Sequence, residues 1–311
     1  MEAPLPVPLR SWIDSVRPSL APPVGNKLLF GAGQHKVMVV GGPNERLDFH
    51  VEEGEEFFLQ LEGELNLIVV EGGSPRAVRL REGDAFLLPA RVPHSPQRGA
   101  CTVGLVLERE RVPGEVDALR WYTPDGSGRV LYEETFFCAD LGRELPPVIS
   151  RFKASDAAQT GEPAAPGTVG ASLGVMGDVG VARMSREPFS LSEWAESVRA
   201  RGAGVGAVPL YGRGAPAPDD TTEYNIIAQF GGGAAGGWQP TGAGEVFIYQ
   251  VSGRGRVRLR SGGAAGEGVL RELAPQDVLL VPAREWEWLG EWDGEEPTLA
   301  LVFSNSKCRA V

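Results

Sequence analysis

The chain has 311 residues, and 42 glycines and 25 prolines make up over a fifth of it, against about 12% in an average protein. That content is hard to fit into long helices and predicts a turn-rich, mostly β chain, while 42% hydrophobic residues supply a sizeable core and exclude wholesale disorder. A net charge of −11 argues against nucleic-acid and anionic-membrane partners, and an anionic substrate would have to be met by arginines placed locally.

The opening MEAPLPVPLRSW has no apolar run of a secretory signal, and no stretch approaches the ~18 apolar residues of a membrane span. Cys101, Cys138 and Cys308 show no CxxC spacing. An odd set of free thiols suits a reducing compartment, so the expected location is cytoplasmic.

In chain order, residues 36–40, 56–61, 64–70, 77–81, 85–89 and 102–108 are apolar runs punctuated by Gly, Pro, Asn and Asp. They are expected strands of an antiparallel sandwich or barrel. His35, in the Gly-rich stretch GAGQHK, is expected to be exposed. Residues 154–180 are small and polar and are expected to form a linker within a connecting segment, 151–184. Ser190 and Glu193 suggest a capping box and hence a short helix from about 191 to 200.

That helix reveals an internal repeat. Trp194-Ala195-Glu196-Ser197-Val198-Arg199 echoes Trp12-Ile13-Asp14-Ser15-Val16-Arg17. Glu245 to Gly253 echoes Glu55 to Gly63, and Asp277 to Arg284 echoes Asp84 to Arg91. The chain therefore reads as two copies of one β module: residues 1–150, then 185–311. In the second copy Pro240 falls opposite His50, Val246 opposite Glu56 and Glu287 opposite His94, and no histidine follows residue 94. The second module is expected to be structural, packed against the first, with Trp286 and Trp288 as core or interface aromatics.

His50, Glu56 and His94 are the candidate metal ligands. Two imidazoles and one carboxylate leave positions open, as in mononuclear non-haem Fe(II) sites that handle O2. Glu56 is followed by Gly63, and Gly83, Pro89, Arg91 and His94 form a second patterned segment. These segments resemble the paired motifs of the cupin superfamily, with Asp48 where the first histidine usually stands and Arg91 where a glycine is usual. Arg91 is a candidate either for the site or for the turn.

A longer resemblance covers residues 9–112. It runs through Pro22-Pro23-Val24-Gly25-Asn26 and Val39-Val40-Gly41-Gly42-Pro43-Asn44-Glu45-Arg46, then Asp48, His50 and Glu52 to Glu56, and Gln60-Leu61-Glu62-Gly63. It continues over Phe86 to Arg98 and Val103 to Glu108. The chain resembles the 3-hydroxyanthranilate 3,4-dioxygenases in their two-barrel, animal-type form. The resemblance implies an all-β, tandem-cupin (bicupin) fold of antiparallel barrels with short peripheral helices.

It further implies His50, Glu56 and His94 as Fe(II) ligands and Arg46 and Glu56 as catalytic residues, with Arg46 at the oxygen site. Glu56, Arg98 and Glu108 become substrate contacts, Arg98 to the carboxylate and Glu108 to the amino group. The implied partners are 3-hydroxyanthranilate and O2, in a monomer with an intramolecular pseudo-dimer. Ring cleavage would give 2-amino-3-carboxymuconate semialdehyde, which cyclises to quinolinate, an NAD precursor in the kynurenine route. Two alternatives stay open: another cupin oxygenase acting on a related aminophenol, and a two-barrel binding protein with a relict metal site.

Overall fold

Strict alternation organises the strands. Trp286–Trp292 buries every second side chain, so Trp286, Trp288 and Trp292 enter one apolar cluster with Val257, Leu259 and Leu279 while Glu287 and Glu291 remain on the half-exposed face. Trp286 and Trp288 are thus core aromatics. The computed structural model describes all residues except 1, 21, 23–24, 45, 165–183, 185, 203–205, 216–221, 233–236, 293–296 and 306–311. Cys308, Pro23, Val24, Glu45 and most of the expected connecting segment lie outside the described residues. Cys101 is exposed and Cys138 buried, both as free thiols.

Packing divides the chain into two compact units. One comprises Arg17–Gly31 and Lys36–Ser190, the other Met1–Val16, Ala32–His35 and Leu191–Val311. In the first, one six-stranded sheet runs Phe189–Ser190, Asp84–Leu88, Glu56–Glu62, Val103–Arg109, His35–Gly41, Asn26–Phe30. The other six-stranded sheet runs Val130–Phe136, Asp117–Tyr122, Phe49–Val51, His94–Arg98, Leu65–Glu71, Ser74–Leu80. Met38, Phe58, Phe86 and Val106 of one sheet meet Leu65, Leu67, Val69 and Leu80 of the other in a single core, which makes the pair a flattened barrel.

The second unit has a six-stranded sheet (Val7–Pro8, Asp277–Val281, Val246–Ser252, Leu299–Asn305, Tyr224–Phe230, Gly206–Tyr211) and a four-stranded one (Gln239–Pro240, Trp286–Trp292, Gly255–Ser261, Val269–Leu273). The expected helix is present as Leu191–Ala200.

The repeat seen in the sequence extends to individual hydrogen bonds. Gln60 Nε2 donates to Glu62 O at 2.8 Å, and Gln250 Nε2 donates to Ser252 O at 2.8 Å. The Arg91 amide donates to Glu52 O at 2.8 Å and the Arg284 amide to Gly242 O at 2.9 Å, with φ of 64° and 65° at the two arginines. Left-handed backbone there explains why glycine is usual at that motif position, and assigns Arg91 to the turn. The two-residue strands match as well. Val7 pairs with Val278 and Phe189 with Ala85, so the short strand near the start of each module closes a sheet edge built from the other module.

Helix Leu141–Ala154 was not expected. Pro146 and Pro147 lie inside it, and each removes a helical N–H, which hides the helix from a propensity reading. Its N-terminus is well capped instead: Asp140 accepts from the Gly142 amide at 2.9 Å, and Glu144 accepts from the Asp140 amide at 2.8 Å. Leu145 and Val148 pack on Leu119, Trp121 and Tyr132, and Phe152 stacks on Trp121 at 4.1 Å. A second helix, Asp156–Thr160, follows. The start of the expected linker is therefore helical.

His35 is buried, with 0% exposure, contrary to expectation. Glycine at position 33 is what permits this, because a Cβ there would lie 1.9 Å from Glu245 Oε1. Glu245 accepts from the His35 amide at 3.0 Å, and His35 Nε2 donates to Glu245 O at 3.2 Å. Burial lowers the His35 pKa from 6.5 to about 4. The unfolded chain thus takes up a proton in that window that the folded protein refuses, so stability falls as pH drops through it. Between pH 7 and pH 5 the loss due to His35 is about 2 kcal/mol. Urea titrations at both pH values should show His35→Gln losing less stability than the parent by about that amount; equal losses would contradict this.

Candidate metal centre

Two short strands place the imidazoles. His50, in Phe49–Val51, pairs directly with His94, the first residue of His94–Arg98, and the rings lie 5.3 Å apart at 72°. Glu56 opens a strand of the facing sheet, opposite Leu88. Candidate ligand atoms of His50, Glu56 and His94 all lie within 4.8 Å of one another, and all three residues are buried.

The hydrogen bonds around these side chains turn lone pairs inward. His94 Nδ1 donates to Val92 O at 3.0 Å, which leaves Nε2 as the nitrogen that faces Glu56 and is placed to ligate. His50 Nε2 donates to Asp117 Oδ2 at 2.7 Å, which leaves Nδ1 as the nitrogen able to ligate. Glu56 Oε2 lies 2.9 Å from His94 Nε2 but makes no hydrogen bond of good geometry. A buried carboxylate oxygen without a proper donor, beside an inward-facing imidazole, is the arrangement a cation completes. The donor set fits a divalent metal with open positions.

Burial opposes the charge on Glu56, but the His94 and His50 rings outweigh it and hold its carboxyl below the ordinary value. Burial likewise opposes a cation at His94, and the Glu56 carboxylate outweighs it and raises that pKa. His50 follows burial and is lowered, despite Asp117. Asp117 is held well below the usual carboxylate range, against its burial, by the Arg111 guanidinium.

Arg46 and Arg98 line the small cavity at these ligands, with Leu141 and Leu145 closing another side. Arg98 is buried and donates from Nη1 to Gln60 Oε1 at 3.2 Å, and its Nε has no partner among the described residues. Burial lowers its pKa to about 10. Arg46 Nε donates to both oxygens of Asp48, at 2.9 and 2.8 Å. Asp48, which stands where the usual motif has a histidine, is thereby a partner of arginine.

Glu108 does not line the cavity. Its carboxylate stands within 4.8 Å of those of Glu52 and Glu56, and its Oε2 lies 3.0 Å from Arg111 Nη2. Burial pushes its pKa up to about 7. Sequence reasoning missed Asp117, Arg111, Glu52, Leu141 and Leu145. Only Asp117 carries a local signal, an acid opening an apolar strand.

The cavity at the ligands measures about 40 Å³, room for about one water. A larger one, about 650 Å³, lies in the second unit, lined by Pro240, Val246 and Trp288 and by no titratable side chain among the described residues. Pro240 and Val246 are the repeat counterparts of His50 and Glu56, so this unit has a hollow without the donors.

Paired β-sheets enclosing a buried set of two histidines and a glutamate define a β-barrel with a candidate metal centre. Residues 1–153 match the family described as 3-hydroxyanthranilic acid dioxygenase. The chain is 42% identical over 305 residues to the 3-hydroxyanthranilate 3,4-dioxygenase of Rattus norvegicus, covering 97% of each. It is 42% identical over 275 residues to that of Homo sapiens, covering 88% of each. Among solved structures it is similar to a cupin 2 conserved barrel domain protein from Leptotrichia buccalis, at 8% identity and a TM-score of 0.48, covering 99% of this chain and 98% of that one. It is also similar to oxalate decarboxylase from Bacillus subtilis, at 18% identity and a TM-score of 0.45, covering 92% and 72%. The chain belongs to the 3-hydroxyanthranilate 3,4-dioxygenase family, and its fold is all-β with antiparallel sheets and short helices, as expected.

His50→Ala and His94→Ala should each bind Fe(II) at least about tenfold more weakly than the parent. Metal analysis after anaerobic loading and gel filtration measures this, and full metal content in either variant would remove that histidine from the ligand set.

Proposed function

We propose that this chain is an Fe(II)-dependent dioxygenase that opens the ring of 3-hydroxyanthranilate with O2 to give 2-amino-3-carboxymuconate semialdehyde, which leads to quinolinate and NAD. The carrying observation is the convergence of His50, Glu56 and His94 inside a barrel whose wall also presents the buried Arg46 and Arg98. Family membership supports the substrate. His50, Glu56 and His94 would hold the iron, whose chemistry when bound is to bring an electron-rich ring and oxygen together on open positions.

The remaining roles belong to the chain. Arg98, desolvated and with an unpartnered Nε, suits the substrate carboxylate, because a planar guanidinium can bond both of its oxygens. In a protein of net charge −11 this local cation offsets the general repulsion of an anion. Glu108 stands outside the cavity lining but within 4.8 Å of the Glu56 carboxylate, and its role would be to accept a hydrogen bond from the amine of a ring seated against Glu56. Arg46, oriented by Asp48, stands on the oxygen side, and Glu56 touches substrate as well as metal.

In this reading the module 1–150 is catalytic, residues 151–184 connect, and the module 185–311 is a degenerate cupin domain without ligands. The protein would work in the cytoplasm as a monomer. No helix among the described residues is long and apolar enough to cross a membrane.

Iron-loaded protein should consume oxygen when given 3-hydroxyanthranilate, and a flat oxygen-electrode trace from iron-replete protein would end this reading. A buried charge-assisted contact is worth ~1.5–3 kcal/mol. Arg98→Ala should therefore lower kcat/KM for 3-hydroxyanthranilate, relative to the same aminophenol lacking its carboxylate, by at least about tenfold. An equal loss on both rings would remove Arg98 from carboxylate recognition.

A further inference from the structure

Arg111 carries no role in the site described so far, yet it lies at the centre of its buried charges. It is 3% exposed. Its Nε donates to Asp117 Oδ1 at 2.6 Å and its Nη2 to Asp117 Oδ2 at 2.6 Å. The same Nη2 lies 3.0 Å from Glu108 Oε2 and 2.5 Å from Glu52 Oε2. Nη1 donates to Arg109 O at 2.8 Å, which fixes the plane of the guanidinium. Asp117 in turn accepts from the ring of His50. One cation therefore spans the carboxylate that orients a metal ligand and the carboxylate assigned to the substrate amine.

We propose that Arg111 is a positioning residue that couples the two halves of the centre, fixing His50 through Asp117 and the amine-facing carboxylate through Glu108. The inference rests on the function proposed above. A planar fork is required for it, because one side of the guanidinium grips Asp117 in two bonds while the shared Nη2 is presented to Glu108. The carboxylate–imidazole contact selects the tautomer that leaves His50 Nδ1 free to ligate, and such outer partners change metal affinity by about 10–100-fold. Without the guanidinium, three buried carboxylates face one another. Asp117 then loses its clamp, and Glu108 is free to turn away from the amine.

The test separates the two arms by binding measurements that need no turnover. One arm is the Fe(II) dissociation constant under anaerobic conditions, with the absorption spectrum of the Co(II)-loaded protein as a signature of ligand geometry. The other is the preference for 3-hydroxyanthranilate over 3-hydroxybenzoate, the same ring without the amine. Asp117→Asn should weaken Fe(II) binding about tenfold and leave the amine preference in place. Glu108→Gln should do the reverse. Arg111→Gln should weaken Fe(II) binding, alter the Co(II) spectrum and reduce the amine preference together.

Arg111→Lys keeps the charge but not the fork, so it serves if Arg111→Gln does not fold, and it too should lose on both arms. A folded Arg111 variant that changes neither arm, or only one, would overturn the coupling. If the parent protein binds Fe(II) but never oxidises 3-hydroxyanthranilate, the proposed function fails. The metal arm still decides the positioning role, because an Fe(II) affinity unchanged in the variants overturns it on its own.

Discussion

Everything in the first unit is arranged around an unfavourable act: two imidazoles and a carboxylate are buried face to face with their lone pairs turned toward one another. Such a cluster is costly unless a positive charge joins it. The fold holds it by tying down the atoms that point away. The Val92 carbonyl accepts a hydrogen bond from His94, Asp117 accepts one from His50, and Glu56 is fixed by its place at the start of a strand. Direct pairing of His50 with His94 across neighbouring strands then fixes the distance between the rings. Arg98, the proposed carboxylate contact, depends on the same frame, since it closes the strand that His94 opens.

The second unit supplies an internal comparison. It keeps the hairpin glycine with positive φ, the left-handed arginine and the glutamine that closes back on its own strand, at Gly253, Arg284 and Gln250. Those features belong to the β framework. It replaces the donors with Pro240, Val246 and Glu287, and the hollow it encloses is lined by neutral side chains among the described residues. Framework and chemistry are therefore separable in this fold, and the two copies show which residues belong to which.

Much of this was legible in the sequence, and the parts that were not have physical reasons. The apolar strands Glu56–Glu62, Leu65–Glu71 and Val103–Arg109 lie within a residue or so of the expected apolar runs, because their side chains make the core. The strands carrying the histidines were not readable. Phe49–Val51 is only three residues long. His94–Arg98 reads HSPQR and lines the candidate site with His94, Pro96 and Arg98, so the apolar pattern that marks a strand is missing there. The candidate ligand set could still be picked out, since histidine is so scarce here. Asp117 and Arg111 were not, because their importance comes from whom they touch across the sheet. Helix Leu141–Ala154 was hidden by its own prolines, and His35 was read as exposed because the glycine before it that admits Glu245 also looks like a turn signal.

The central claim is that one divalent metal is held by His50, Glu56 and His94. Anomalous diffraction at the iron edge, from crystals loaded anaerobically with Fe(II), tests it most directly. The account predicts a single peak within bonding distance of all three side chains and no peak beside Pro240 and Val246. A peak elsewhere, or none at these three residues in iron-loaded crystals, would contradict it.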